Sequence, residues 1–258
     1  MTIPVIFDEK GTKPILYWIS TQWKGIVAEF FSTMLLLIFG CMSCIPVAGA
    51  PDPALFGPIV FGLTVMFNIQ IFGHISGAFM NPFVSVIAVI WGKISFSVGV
   101  AYVLAECAGA ILGYGILMAV SPTDIAAEGI CLTLTHINVF QALGVEMALS
   151  AALSLLNCGV WDPVNSHNSD SVPLKFGFAI VGLSFAGGRF TDASMNPARS
   201  LGPAVWTNRW DNHWVYWVGP MVGGILPALF YKHFYRQAKP KVEDLGPMSS
   251  SVADKTIM

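Results

Sequence analysis

Charge is scarce in this chain. Only 11% of its 258 residues are Asp, Glu, Lys or Arg, 55% are hydrophobic, and the mean hydropathy is +0.67. That is too apolar for a soluble domain of this length and implies a chain that lives in a bilayer. The formal net charge of −2 leaves no basic patch, and the scattered lysines lack the aromatic interleaving of a nucleic-acid site, so nucleic acid is excluded as a partner. Histidine is sparse and dispersed, at positions 74, 136, 167, 213 and 233, and neither HExxH nor GxSxG occurs. No metal set, cofactor or catalytic nucleophile is therefore expected. Cysteine is rare as well. Cys41, Cys44, Cys107 and Cys158 fall in or at the ends of apolar stretches, where each reads as a small hydrophobe before half of a disulfide or a metal ligand. Only Cys131 is expected to face the outside.

What the chain has is long apolar runs. A membrane span needs roughly 20 mostly apolar residues, and six stretches qualify: 25–48, 58–72, 96–120, 138–158, 172–188 and 214–232. Six spans put both termini on one side. Lys10, Lys13 and Lys24 precede the first span and Lys232, Arg236, Lys239 and Lys241 follow the last, whereas residues 121–137 contain no Lys or Arg, so that side reads as cytoplasmic. The N-terminal residues show no cleavable signal, and the first span is expected to direct insertion. The resulting division is an N-terminal segment 1–22, a membrane domain 23–236 and a polar tail 237–258 expected to be disordered. The terminal Thr256-Ile257-Met258 has the form of a C-terminal recognition peptide, a cheap match.

Two apolar segments are too short to span: 77–91, GAFMNPFVSVIAVIW, and 192–206, DASMNPARSLGPAVW. Asn is a favoured helix N-cap and Pro a favoured first helical residue, so Asn81-Pro82 and Asn196-Pro197 each predict the start of a half-length helix inside the membrane. The surroundings repeat. Glu29 in Ala-Glu-Phe matches Glu146 in Val-Glu-Met, and each half reaches its Asn-Pro after two spans. Three spans per half, about 23–120 and 138–236, make the second copy inverted, with paired broken helices meeting near the midplane. Glycine pairs Gly109 with Gly113, and Gly219 with Gly223, have the spacing for close helix approach.

Two half-helices facing each other direct their dipoles and free N–H groups at the centre, which repels cations. The amides of Asn81 and Asn196 have NH2 donors to offer a passing oxygen once the side-chain oxygen has capped the helix. The irregular residues Gly77, Ala78, Phe79 and Met80, and Asp192, Ala193, Ser194 and Met195, are tolerable at membrane depth only beside a wet cavity, where their carbonyls form an acceptor ladder. Glu29 and Glu146 are intramembrane carboxylates expected to accept N–H bonds from these loops; the competing role, a proton relay, lacks further ionisable groups. Glu106 has no repeat partner and no role assignable from sequence. His74 precedes the first loop and reads as a structural histidine before a pH sensor.

These motifs, AEF at 28–30, HISGAFMNPF at 74–83 and SMNPARSLGP at 194–203, resemble those of the aquaporins, the major intrinsic proteins, over about residues 20–236. The resemblance implies an all-α membrane fold of six transmembrane helices and two re-entrant half-helices, assembled as a homotetramer. The motif residues are Asn81, Pro82 and Phe83 in the first half, and Asn196, Pro197 and Ala198 in the second. Phe83 stands where the family usually has alanine. By the same resemblance, selectivity falls to an outer ring of Phe61, Ser184, Ala193 and Arg199. Water-selective members usually carry histidine in place of Ser184 and often cysteine in place of Ala193.

Without an imidazole the ring is wider, with an aromatic wall, one hydroxyl and one guanidinium, which suits a polyol. With Ser200 rather than the Asp of bacterial glycerol channels after Arg199, the chain is similar to the insect glycerol-conducting branch, the entomoglyceroporins. The expectation is a passive channel for water and small neutral solutes, glycerol first and urea as a further candidate, excluding ions and protons, in the plasma membrane. The alternative is a strictly water-selective aquaporin, with Phe185 refilling the space at 184. An ion channel or a coupled transporter fits less well, while a structural junction protein with a closed pore stays open as a further class. With no thiol at 193, conduction is expected to resist mercurials.

Overall fold

The computed structural model describes residues 15–49 and 52–236. In chain order the helices are α1 (Ile15–Met42), α2 (Pro53–Phe72), α3 (Pro82–Trp91), α4 (Phe96–Val120), the single turn α5 (Ile125–Glu128), α6 (Val139–Trp161), α7 (Val172–Thr191), α8 (Pro197–Thr207) and α9 (Val215–Phe234), with a 3-10 turn at Pro163–Asn168. Among the described residues there is no strand. The segment through residue 14 and the tail from 237, with its terminal Thr256-Ile257-Met258, lie outside the described residues.

Six helices have 20 residues or more, and at 1.5 Å per residue each matches or exceeds the roughly 30 Å of a hydrocarbon core. Four of them, α1 from Ser20, α2, α4 and α6, have mean hydropathies between 1.7 and 2.0. The other two are less apolar: α7 carries Lys175 and Arg189, and α9 carries two internal prolines and ends in Lys232 and His233. α3 and α8, with 10 and 11 residues, reach only about halfway. The boundaries depart from the sequence reading mainly at the first two spans. α1 begins at Ile15, ahead of the expected domain start at 23, and ends at Met42 rather than 48. α2 starts earlier than residue 58 because Asp52 caps it, accepting from the Ala54 N–H at 2.8 Å, with Pro53 as the first helical residue.

The duplication is visible in the packing. α1 lies against α4 and α6 against α9. At these crossings Gly109 and Gly113 sit on the backbone carbonyls of Phe30 and Met34, while Gly219 sits on the Glu146 side chain and Gly223 on the Met147 carbonyl, positions where an added methyl would collide. Small residues substitute for a hydrophobic driving force between helices in lipid. α2 packs on α7 across the pseudo-symmetry, and the two short helices enter the interior between these pairs. Phe83 is fully buried, its ring against Gly224 of α9, so the departure from alanine is accommodated by a missing side chain across the interface.

Candidate functional site

Each half-helix starts at an asparagine with extended backbone. Asn81 (φ −156°) accepts from the Phe83 N–H at 3.2 Å, and Asn196 (φ −151°) accepts from the N–H groups of Ala198 at 3.0 Å and Arg199 at 3.2 Å. The asparagines also reach across the pseudo-symmetry. The Asn81 amide donates to the Met195 carbonyl at 2.8 Å and the Asn196 amide to the Met80 carbonyl at 2.7 Å. Each NH2 thus commits one hydrogen to locking the opposite loop and keeps one for the cavity. The amides are less free than the sequence implied, and the carbonyls of Met80 and Met195 already have a donor.

The loops before the caps are strained in matched places. Ala78 (φ 50°) and Met80 (φ 54°) in the first half, and Ala193 (φ 44°) and Met195 (φ 51°) in the second, all adopt left-handed backbone without being glycine. Such residues cost of order 1–3 kcal/mol each and persist only where the surroundings over-determine them. Here buried carboxylates do so. Glu29 accepts from the N–H groups of Phe79 at 3.0 Å and Met80 at 2.8 Å; Glu146 accepts from Ser194 at 2.9 Å and Met195 at 2.8 Å. Two hydroxyls that the sequence reading missed do the same for the next residue outward. Ser76 Oγ accepts from the Ala78 N–H at 3.0 Å and Thr191 Oγ1 from the Ala193 N–H at 3.3 Å, while Thr191 donates to Glu146 at 2.7 Å. Their signal was available: each stands five residues before its Asn.

Glu106 belongs to the first half only. It is fully buried and accepts from Ser85 Oγ of α3 at 2.7 Å, tying α4 to the first half-helix; its second oxygen has no partner among the described residues. Ser200 is also buried, 2.6 Å from Ser194 Oγ, and braces the second loop behind the cavity wall.

A continuous cavity of about 1220 Å³ runs through the molecule, from Pro53 and His136 at one end to His74 and Trp161 at the other. All eight irregular residues of the two loops line it, together with Asn81 and Asn196. So do Phe61, Ser184, Ala193 and Arg199, brought together from α2, α7, the second loop and α8. The Arg199 guanidinium carbon lies 5.3 Å from the Phe61 ring centroid, and Nη1 donates to the Cys131 carbonyl at 2.8 Å. Among the described residues no carboxylate is within ion-pair reach of Arg199. A cation in the first turn of a helix opposes the local dipole, so its charge adds to the positive ends of α3 and α8 rather than cancelling them. Phe185 lines the cavity beside Ser184.

The cysteines correct the sequence reading twice. Cys41, at the end of α1, is joined by a disulfide to Cys131, in the connection between α4 and α6, with their Cα atoms 5.3 Å apart. Cys131 is itself largely buried, at 9% exposure. The pairing was illegible because Cys41 sits at the end of an apolar run and its partner is 90 residues away. Cys44, a free and partly buried thiol, lines the cavity, so the missing thiol at 193 does not leave the passage without one and the expected resistance to mercurials loses its basis. His136 gains a partner as well, its Nε2 3.2 Å from Asp192.

Facing half-helices, donors at their meeting point and a passage through six membrane-length helices define a transmembrane channel protein. Residues 18–231 match the family model described as "Major intrinsic protein". The chain is 37% identical to mouse Aquaporin-4 over 225 residues, covering 84% of this chain and 69% of that protein. It is 36% identical to rat Aquaporin-2 over 234 residues, or 90% and 86% of the two chains. In fold it resembles the aquaglyceroporin from Plasmodium falciparum, with a TM-score of 0.71 at 22% identity over 82% of this chain and 96% of that one. The chain belongs to the major intrinsic protein family, the aquaporins, which are passive channels of integral membrane proteins.

Proposed function

We propose that this aquaporin conducts glycerol as well as water, with urea a further candidate, and excludes ions and protons. The observation that carries the reading is the composition of the outer ring, in which Phe61 supplies an apolar wall and Arg199 a fixed donor while Ser184 and Ala193 contribute little bulk. A polyol can lay its carbon backbone on the ring of Phe61 and pass its hydroxyls along Arg199. Two converging helix N-termini and an unpaired guanidinium oppose cations along the same axis. This pattern, with Ser184 and Ser200, is the basis for relating the chain to the insect glycerol-conducting branch.

The orientation we infer has both termini in the cytoplasm of a cell whose plasma membrane holds the channel as a homotetramer. Besides the lysine distribution, a disulfide at Cys131 supports it: that connection lies by the end of α1, across the molecule from the start of α1 and the end of α9, and disulfides persist on the oxidising side of a membrane.

Strict water selectivity is the second reading, favoured by Phe185, whose side chain lines the cavity next to Ser184 and could refill the space. Ser184→His separates the two. An imidazole there narrows the ring, so the ratio of glycerol to water permeability in proteoliposomes should fall by about tenfold with water flux largely kept. An unchanged ratio in a channel that does pass glycerol would show that residue 184 is not the filter; Phe185→Ala then becomes the substitution to measure.

A further inference from the structure

We propose that the Cys41–Cys131 disulfide is a specificity-determining strap, which fixes the carbonyl that holds Arg199 and thereby sets the opening of the outer ring. The proposal rests on the ring assigned above.

Three observations meet at Cys131. Its sulfur is bonded to Cys41, its carbonyl accepts from Arg199 Nη1 at 2.8 Å, and its backbone is left-handed, with φ 62°. A non-glycine residue holds that conformation only under constraint. The turn before it is held by Tyr114, whose hydroxyl donates to the Ile130 carbonyl at 2.8 Å, and the stretch of chain after it by Asp192, which accepts from the Leu134 N–H at 2.8 Å. Residue 131 itself is anchored to the α1 wall through its sulfur. The peptide that carries the carbonyl is also held by the Leu132 N–H, which donates to the Gly129 carbonyl at 3.2 Å, so cleaving the disulfide removes the tie to α1 and loosens the carbonyl, with this turn bond as its remaining restraint.

Arg199 is the group that feels the change. Its backbone is fixed in α8, it has no carboxylate partner among the described residues, and its guanidinium already lines the cavity over the Phe61 ring, 5.3 Å from the ring centroid. Losing its acceptor leaves buried N–H groups that must find another, and the wet side is the cavity. A guanidinium leaning inward narrows the ring. A three-carbon solute then suffers more than water does, so the disulfide widens the channel for larger cargo by holding Arg199 back. Cys41 and Cys131 are positioning residues in this scheme, acting through Arg199.

The test uses the full-length protein in proteoliposomes, before and after treatment with dithiothreitol. The dithiol is oxidised to its cyclic disulfide as the protein's bond is reduced to two thiols. Opening is verified by maleimide labelling after denaturation, since the free cysteines 44, 107 and 158 should be joined by two more. The glycerol-to-water permeability ratio should fall by about threefold or more on reduction, the scale of weakening one hydrogen bond to a charged group. Re-oxidation should restore it. The Cys41→Ala, Cys131→Ala double variant, which keeps the carbonyl but not the bond, should show the low ratio without reductant and no response to it. Cys44→Ser should respond as the unaltered channel does, which assigns the effect to the bond.

A bond that merely stabilises the fold would lower active-channel density and unfolding temperature while leaving the ratio where it was; that result, with opening verified, overturns the proposal. Because reduction acts on folded protein, poor folding of the double variant does not rescue it. If the untreated channel passes water but no glycerol, the polyol reading fails while the strap is still tested by water permeability itself. That permeability, normalised to the density of folded channel, must then drop on reduction, and a constant normalised value overturns the strap as well.

Discussion

Asn81 and Asn196 each perform three tasks with one small amide. The oxygen caps a half-helix, one N–H ties the opposite loop, and the other N–H faces the cavity. A carboxylate at position 81 would keep the cap but meet the Met195 carbonyl with an acceptor, and it would place negative charge where the helix dipoles are positive. Asn81→Asp should therefore lower water permeability by about tenfold at equal protein density, read by stopped-flow light scattering, while raising proton leak. Phe83 and Gly224 form a second residue-scale unit. A methyl at 224 strikes the Phe83 ring, so Gly224→Ala should cost about 1–3 kcal/mol of overpacking, seen as a lower unfolding temperature in detergent. Adding Phe83→Ala should recover part of that loss, and strict additivity of the two changes would show that they do not touch. Phe83 was legible in the sequence as a departure from the family; the glycine that makes room for it was not, because the two are distant in the chain and close only after α3 packs on α9.

At the scale of elements, the half-helices were readable because Asn-Pro carries its own capping chemistry, and the loops before them because irregular backbone at membrane depth has few permitted uses. The connection from Ser121 to Asn138 was not readable. It contains the turn α5 and is held down by side chains from separate elements, among them Tyr114, Arg199, Arg209 and Asn212, contacts that leave no local periodicity. The connection before α9 has a titratable counterpart. His213 Nε2 accepts from Trp217 Nε1 at 3.1 Å, and burial lowers its pKa below the ordinary 6.5. The sign follows from linkage: the unfolded chain takes up this proton first, so the stabilising contribution is complete above pH 6.5 and is lost as pH falls below it. The unfolding temperature in detergent should thus decline from about pH 7 towards about pH 5, and His213→Gln should flatten part of that decline. A slope unaltered by the substitution would place the titration elsewhere.

For the whole molecule, the inverted repeat is what makes a short sequence build a passage. Matching left-handed residues, matching carboxylates and matching hydroxyls recur about the midplane, and each half completes the other's loop through an asparagine. The cation exclusion proposed above would be a property of this arrangement rather than of any one side chain, since both helix N-termini and Arg199 act on the same axis. Cargo size is different: in the reading proposed above it is set at the single ring of Phe61, Ser184, Ala193 and Arg199. The central claim, a neutral-solute channel wide enough for glycerol, is tested most directly by stopped-flow light scattering of proteoliposomes. Exposed to an external glycerol gradient, vesicles with the unaltered protein should shrink quickly and then re-swell much faster than protein-free vesicles, and planar bilayers should show no ionic current. Rapid shrinkage without accelerated re-swelling would contradict the account and leave a water-selective aquaporin in its place.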